Sequence, residues 1–369
     1  MKDKFVSTLS KKLTPYSLPE NWKWFYWEDI MSNYQQGLIR SNRQLGSGNV
    51  EYLKMGDLDG KGGVDLNNLA LTEASIKEIE EFKLKEGDFL LNVRNSQELV
   101  GKTCVVKNID NRVILFNHML VRIDNGSSDM NYFINAFFNI PSSKKLLNRI
   151  KQGTTTVIAL YQRDINKLPI PLPNNKLFKA IVSVYKNVDA KIELNNKINR
   201  ELEAMAKTLY DYWFVQFDFP DKNGKPYKSS GGKMVYNEDL KREIPEGWEV
   251  GTFGDVLDVL ESGDRPKGGI KKIKNGIPSI GAENILSIGK YNYGQEKLIP
   301  KEYFEKMTNG VIKSGDVLMY KDGASLGRVS MFKNDFPYKH CAINSHAFIL
   351  RTNNKISQNF IYFWLDQVI

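Results

Sequence analysis

The sequence contains an internal duplication with a separation of about 227 residues, and this repeat strongly limits the folds open to the chain. The segment 18–22, Leu-Pro-Glu-Asn-Trp, returns at 244–248 as Ile-Pro-Glu-Gly-Trp. Three further matches keep the same order: 85–90 with 313–318, 100–102 with 326–328, and 131–133 with 359–361. Because their spacing agrees to within about two residues over more than a hundred positions, we predict two related globular domains.

Short apolar segments between Gly, Asn and Asp residues predict strands within each repeat. They lie at 88–93, 103–107 and 113–115 in the first copy and at 316–320 and 329–332 in the second. A Gly-Asp pair before the first strand of each set is typical of a turn, and the run from Thr72 to Phe82 predicts a helix. Each repeat is therefore expected to be a mixed, strand-rich domain.

A different pattern separates the repeats. Residues 175–214 contain no Gly or Pro and predict one long helix with apolar residues at alternating steps of three and four. The residues of this seam that we expect to pair with another helix are Ile181, Val184, Val188, Asn195, Ile198, Leu202, Met205 and Leu209. Lys191 and Asn195 interrupt the seam, where they either fix the register of the pairing or are simply solvated.

The predicted fold class is thus α+β, with two homologous mixed, strand-rich domains separated by a long coiled-coil helix. The expected boundaries are a first domain at 1–150, a proline-rich exit segment at 151–174, the helix at 175–217, an exposed polar linker at 218–243 and a second domain at 244–369. Residue 369 corresponds to about position 141 of the first copy, so we expect the second copy to lack a counterpart of the long helix.

Charge and composition restrict the class of protein. The chain has 52 Lys and Arg against 43 Asp and Glu, a formal net charge of +9, which favours a polyanionic partner such as nucleic acid but also fits an ordinary basic protein. The two cysteines, Cys104 and Cys341, lack the spacing of a zinc site or disulfide framework. No signal peptide or membrane span is predicted, so a cytoplasmic protein without membrane contact is expected.

Catalytic motifs are missing from the sequence. There is no phosphate-binding G-x-x-x-x-G-K-[ST] loop, no Asn-Pro-Pro-Tyr-type motif and no histidine pattern for a metal. His340 and Cys341 are the nearest approach to a nucleophile pair, but neighbours on a strand point to opposite faces. We therefore expect a non-catalytic protein that holds no cofactor and no metal.

Candidate DNA contacts fall at equivalent places in the two repeats. Arg, Asn and Gln match the edges of guanine and adenine, whereas Lys mainly contacts phosphates. Each such residue alone also fits a solvated surface charge, but paired clusters with unlike side chains indicate two sites that read different sequences. The candidates are Arg40, Asn42, Arg43, Gln44, Arg94, Asn95 and Gln97 in the first copy, and Arg265, Lys267, Lys271, Lys272, Lys274, Lys321 and Arg328 in the second.

These features resemble the specificity subunits of type I restriction-modification systems. The resemblance runs along the whole chain: the Leu-Pro-Glu-Asn-Trp opening, Gly-Asp-Phe-Leu at 87–90, Gly-Thr-Thr-Thr at 153–156, the helix end at 209–220, and Gly-Lys-Pro-Tyr-Lys at 224–228. It implies two target-recognition domains on double-stranded DNA, spaced by helices that dock methyltransferase subunits and, through them, the restriction subunit. It also implies that this subunit binds neither S-adenosylmethionine nor ATP.

Two other classes of protein remain open. A coiled-coil scaffold with flanking protein-binding domains explains the heptads but not the duplicated polar loops. A stand-alone DNA-modifying enzyme would require activity of the chain with S-adenosylmethionine. If the second long helix is missing, we expect the helix at 177–213 to associate with its copy in a second chain.

Overall fold

The structure is a computed structural model that describes residues 17–153, 157–264, 266, 273, 275–294, 296–323 and 326–368. It divides into two compact units, Met1–Lys197 and Ile198–Ile369. The division falls within the long helix, so the first part of that helix belongs to the first unit and the remainder to the second.

The first unit contains twelve described strands and four described α-helices before the long helix. In chain order they are β1 (Trp22–Tyr26), β2 (Asn33–Gln36), β3 (Leu45–Leu53), β4 (Ala70–Thr72), α1 (Ile76–Phe82), β5 (Phe89–Asn92), β6 (Arg94–Asn95), β7 (Thr103–Val105), β8 (Ile114–Phe116), β9 (Leu120–Asp124), α2 (Ser128–Asn139), α3 (Pro141–Arg149), β10 (Gln152–Gly153), β11 (Ile158–Ala159), α4 (Gln162–Asn166) and β12 (Pro169–Pro173).

An antiparallel sheet of order β2-β9-β5-β7 forms the centre of this unit. Because side chains alternate along a strand, Phe89 and Leu91 of β5 enter a core with Trp27 and the helix α2, whereas Leu90 enters a second core on the opposite face. A smaller sheet of order β4-β3-β8, in which β3 and β8 are parallel, contributes to that second core. The sheet is therefore buried on both faces.

The second unit begins within the long helix and continues with shorter elements. They are β13 (Met234–Asn237), β14 (Arg242–Pro245), α6 (Phe253–Val256), β15 (Leu257–Ser262), β16 (Ile277–Ile280), β17 (Ile285–Ser287), β18 (Lys290–Tyr291), β19 (Lys297–Ile299), α7 (Lys301–Phe304), β20 (Asp316–Tyr320), β21 (Val329–Phe332), β22 (Ala342–Ile343), β23 (Ala347–Thr352) and α8 (Gln358–Val368). The long helix α5 spans Asn175–Tyr210 and is followed by one π-helical turn, Asp211–Val215.

The strand orders of the second unit reproduce those of the first. Its central sheet has the order β15-β23-β20-β21, and its smaller sheet has the order β19-β16-β22 with β16 and β22 parallel. Val317 and Leu318 of β20 face opposite cores, as Phe89 and Leu90 do in the first unit. The predicted α+β class and the two homologous domains are confirmed.

The Gly-Asp turn is built alike in both units. Gly87 and Gly315 have φ values of +86° and +93°, which favour glycine because a side chain is strained there. Asp88 Oδ2 accepts a hydrogen bond from the amide of Lys85 at 2.9 Å, and Asp316 Oδ2 accepts one from Lys313 at 2.7 Å. The repeated sequence motif therefore starts the central strand of each sheet with the same turn.

The first part of α5 packs on the first unit. Phe178 contacts Phe133 of α2 with ring centroids 5.4 Å apart, and Val182 is buried. Lys107 forms ion pairs with Asp189 and Glu193. The predicted long helix is confirmed, and this end of it is fixed by both apolar and charged contacts.

The exit segment and the linker contain more regular structure than the sequence predicted. In the exit segment, β12 pairs with β1 through five residues, with Pro171 opposite Trp24. In the linker, residues 222–225 are exposed as predicted, but β13 and β14 form a hairpin between 234 and 245. The pairing of β1 with β12 joins residues that lie far apart in the sequence.

A close approach of glycine to backbone predicts a stability effect. A side chain at Gly37 would overlap the carbonyl oxygens of Phe116 and Asn117, and one at Gly263 would overlap that of Ile343. Gly37→Ala and Gly263→Ala should each lower the free energy of unfolding by roughly 1–3 kcal/mol, the usual cost of overpacking. The control is Gly56→Ala, since nothing lies within 4 Å of the added Cβ. Equal urea denaturation curves for Gly37→Ala and Gly56→Ala would contradict the expectation.

Candidate nucleic-acid interface

In the first unit, three polar segments meet where the central strand β5 ends. The amide of Val93, just beyond β5, donates to the carbonyl of Met119 at 2.9 Å. Asn117 closes the turn before β9 by accepting from the amide of Met119 at 2.8 Å. The amide of His118 donates to Leu38 at 3.1 Å, so the segment that follows Gly37 lies beside this turn.

The second unit builds the same sheet end from its own residues. The amide of Lys321 donates to the carbonyl of His346 at 3.1 Å, and Asn344 accepts from the amide of His346 at 2.8 Å. Gly263 packs on the backbone of Ile343, as Gly37 packs on Phe116. Backbone geometry is therefore common to the two sites, and only the side chains differ.

Side chains at the first site include an exposed arginine and a half-buried histidine. Arg94 in β6 is exposed, while the Nδ1 atom of His118 is buried without a hydrogen-bond partner among the described residues. Burial, with a smaller contribution from the positive charge of Arg94, lowers the pKa of His118 below its usual value. The imidazole is therefore neutral at pH 7 and leaves Arg94 as the cation of this pair.

The predicted cluster at 40–44 divides into two kinds of residue. Arg40 is largely buried and donates to Glu78 at 2.8 Å and to the carbonyl of Glu73 at 3.0 Å. Gln44 accepts from the amide and hydroxyl of Ser41, each at 2.9 Å. Asn42 and Arg43 are exposed on the intervening 3-10 turn. Arg40 and Gln44 thus hold the segment in place, while Asn42 and Arg43 face solvent.

Two further candidates of the first unit follow β5, one at the end of β6 and one in the turn after it. Asn95 pairs with Ile158 of β11 in the small sheet β10-β11-β6, and its side chain accepts from the amide of Ser96 at 2.7 Å. Gln97 is exposed, and its backbone carbonyl accepts a hydrogen bond from Lys151 at 2.7 Å. Of these two residues, the side chain of Gln97 is the one that solvent reaches freely.

At the second site, a lysine and an acid–histidine pair occupy the sheet end. Lys321 Nζ donates to Ser262 Oγ at 2.9 Å and lies 4.6 Å from the ring centroid of Phe348. His346 Nδ1 lies 2.7 Å from Asp322 Oδ2. The sequence did not single out His346, because 24 positions separate it from Asp322 and only the turn at Asn344 brings the two together.

Arg328 and Lys102 are equivalent residues of the two repeats, and each donates to a backbone carbonyl. The guanidinium of Arg328 donates to the carbonyl of Ile285 at 2.9 Å, and Lys102 donates to the carbonyl of Leu58 at 3.0 Å. Arg328 was predicted as a DNA contact from the sequence and Lys102 was not, although the match of 100–102 with 326–328 relates them. The remaining candidates, Arg265, Lys267, Lys271, Lys272 and Lys274, lie outside the described residues.

His340 and Cys341, the nearest approach to a nucleophile pair in the sequence, differ in exposure. Cys341 is buried, which raises the pKa of its thiol to about 12, whereas His340 is exposed. Among the described residues, no three His, Cys, Asp or Glu side chains are placed to hold a metal ion. Within the same residues, every helix is too short or too polar to cross a membrane.

Comparison with known proteins identifies relatives along most of the chain. The family described as "Type I restriction modification DNA specificity domain" matches residues 19–204 and 245–367. The type I restriction enzyme MjaIX specificity subunit of Methanocaldococcus jannaschii is 27% identical over 79% of this chain, which spans 63% of that protein's length. The putative type I restriction enzyme MjaX specificity subunit of the same organism is 24% identical over 97% of this chain, and the match covers 79% of the length of that protein.

A solved structure also aligns with this chain. The alignment with the crystal structure of the S subunit of a type I restriction-modification system from M. genitalium covers 95% of this chain and 79% of the chain in that structure. The two are 15% identical, and the TM-score is 0.47. The two family matches together include well over half of the residues and fall one on each repeat. This chain belongs to the family defined by the type I restriction modification DNA specificity domain.

Proposed function

We propose that this chain is the DNA-recognition subunit of a type I restriction-modification complex, in which each unit reads one half of a bipartite target. The observation that supports this most strongly is the sheet end that recurs in both units. The Asn117 and Asn344 turns have the same hydrogen bonds, yet the side chains around them differ. Two equal scaffolds with different polar groups suit two different half-sites.

The side chains at each site suit distinct base edges. Arg43 and Arg94 present exposed guanidinium groups in the first unit, and arginine makes paired hydrogen bonds to guanine. In the second unit Asp322 offers carboxylate oxygens, which accept from the amino group of cytosine, and Lys321 offers an ammonium. The two units are therefore expected to prefer different sequences.

The exposed seam of α5 supports an assembly role. Val184, Val188, Leu202 and Met205 are 53–66% exposed, whereas Ile181 packs against the core of the first unit. An exposed apolar stripe on a helix, here interrupted at Lys191 and Asn195, favours a protein partner. We propose that methyltransferase subunits dock here, with the restriction subunit bound through them, and that free chains pair through the same stripe.

The alternative hypothesis, a coiled-coil scaffold with protein-binding domains, also explains the apolar stripe on α5. It does not explain why the same sheet end occurs in both units. The proposed complex acts on cellular DNA, so its place is the cytoplasm. Its chemistry resides in the partner subunits, and the recognition subunit itself needs neither cofactor nor metal.

Exchange of one unit tests independent reading. Residues 18–141 would be replaced by the equivalent region of another family member, and the preferred DNA would be selected from random oligonucleotides with the methyltransferase present. One half-site should change while the other half and the spacing stay as before, because each unit has its own sheet end. A change in both halves would refute independent reading.

Arg43→Ala should relax discrimination at a single base pair by roughly 1–3 kcal/mol, the value of a good bidentate contact. Binding would be measured by fluorescence anisotropy on the target and on its single-base variants. Lys85→Ala is the control, since exposed Lys85 precedes β5 at the opposite end of the sheet from Arg94. A uniform loss on all sequences with Arg43→Ala would contradict base reading by this residue.

Self-association can be tested by light scattering. We expect the 369-residue chain to form a dimer at micromolar concentration and Leu202→Asp to shift it to the monomer, because the aspartate places a charge in the apolar stripe. Ala204→Asp is the matched control, since it adds the same charge to an exposed position off the stripe. A wild-type monomer that Leu202→Asp leaves unaffected would show that the stripe does not associate with itself.

A further inference from the structure

We propose that a lysine-lined pocket in the first unit binds one phosphate-type anion, which is a backbone phosphate when DNA is bound. The assignment to DNA rests on the proposed function, whereas anion binding itself does not. The pocket has a volume of about 270 Å³. Its lining includes Gly60, Gln97, Gly101, Lys102, Lys144 and Lys151.

Each of the three ammonium groups is held by a backbone carbonyl. Lys102 donates to Leu58 at 3.0 Å, Lys144 donates to Gly60 at 3.0 Å, and Lys151 donates to Gln97 at 2.7 Å. An ammonium has three N–H donors, so each lysine keeps donors for a further acceptor. The carbonyls thus orient the three side chains without neutralising them.

The positive charge of the pocket is not balanced within the described part of the chain. Lys102, Lys144 and Lys151 form no ion pair with any described residue. Glu98 is the one described carboxylate that lines the pocket; it is exposed and forms no ion pair with the described residues either. Burial lowers the pKa of Lys151, as expected for an ammonium that loses water without gaining a counter-charge. A bound anion would supply that charge to all three lysines.

Two glycines with left-handed backbone line the pocket beside the lysine side chains. Gly60 has a φ of +75° and Gly101 a φ of +88°, a region that side chains rarely adopt. A Cβ atom on Gly60 would lie 3.2 Å from Cε of Lys102, and one on Gly101 would lie 3.7 Å from Cε of Lys151. The backbone therefore passes close to the side chain of Lys102 at Gly60 and within van der Waals distance of Lys151 at Gly101.

The pocket adjoins the sheet end that carries Arg94. Lys151 leads directly into β10, which pairs with β11, and β11 pairs with β6. A phosphate bound by the lysines would lie next to the strand that holds Arg94, a candidate for base reading. Contacts to phosphates fix the position of a protein on DNA, and base contacts then select the sequence. The pocket is thus suited to set the register of the first unit.

The test uses the full chain with Lys144→Ala and Lys151→Ala combined, and with Lys145→Ala as the control. Lys145 lies on the same helix α3 but is exposed and does not line the pocket. The first probe is inorganic phosphate at low millimolar concentration, followed by two-dimensional NMR of backbone amides, with chloride at equal ionic strength as the reference. The second probe is DNA, with affinity measured over a range of salt concentrations in the presence of methyltransferase.

Phosphate should shift amides around Gly60 and Gly101 in a saturable way in the wild type and Lys145→Ala, and not in the double variant. On DNA, the slope of log affinity against log salt should fall by about 0.9 in the double variant, which is the value for one phosphate contact. The loss should be equal on all sequences. A variant with Lys144→Arg and Lys151→Arg keeps both charges and should retain phosphate binding, which separates loss of charge from damage to the fold.

Two results overturn the proposal: wild-type amides that phosphate does not shift beyond the chloride reference, or a double variant that binds phosphate as the wild type does. Saturable phosphate binding together with no affinity for any DNA would contradict the proposed function and the assignment to a backbone phosphate. Phosphate binding with an unchanged salt slope would place the anion outside the DNA contact and would also contradict that assignment.

Discussion

The rest of each unit depends on a close contact between backbone segments at one end of its sheet. Gly37 lies against the carbonyls of Phe116 and Asn117, and Gly263 lies against that of Ile343. Only glycine permits this approach. It brings the end of the edge strand, β2 or β15, close to the turn before the neighbouring strand, β9 or β23. The polar segments that follow therefore lie side by side. The shape of both candidate sites follows from this one constraint.

A rigid sheet end with variable side chains separates folding from recognition. The buried alternation of Phe89 and Leu90, and of Val317 and Leu318, stabilises the sheets from both faces. The polar groups beyond the strands, such as Arg94, contribute little to those cores. If these groups read DNA as proposed, substitutions there alter the preferred sequence at small cost to stability, since surface changes usually have small effects.

The sequence predicted features that depend on neighbours along the chain and missed those that depend on the fold. The helix α5 was predictable because its apolar spacing is a local pattern, and the repeat was predictable because its two copies can be compared directly in the sequence. The role of Arg40 was not, because its partner Glu78 lies 38 positions away. The three lysines of the anion pocket are spread over 50 positions, and only the packing of α3 beside Gly101 collects them. Exposure of Asn42 and Arg43 was likewise beyond sequence reasoning.

The central claim, that two units read two half-sites, is tested most directly by mapping DNA methylation in cells that contain this chain and its methyltransferase. The account predicts methylation at one bipartite motif, with two short specific halves separated by a fixed number of unspecified bases. A single continuous motif, or methylation that does not depend on this chain, would contradict it.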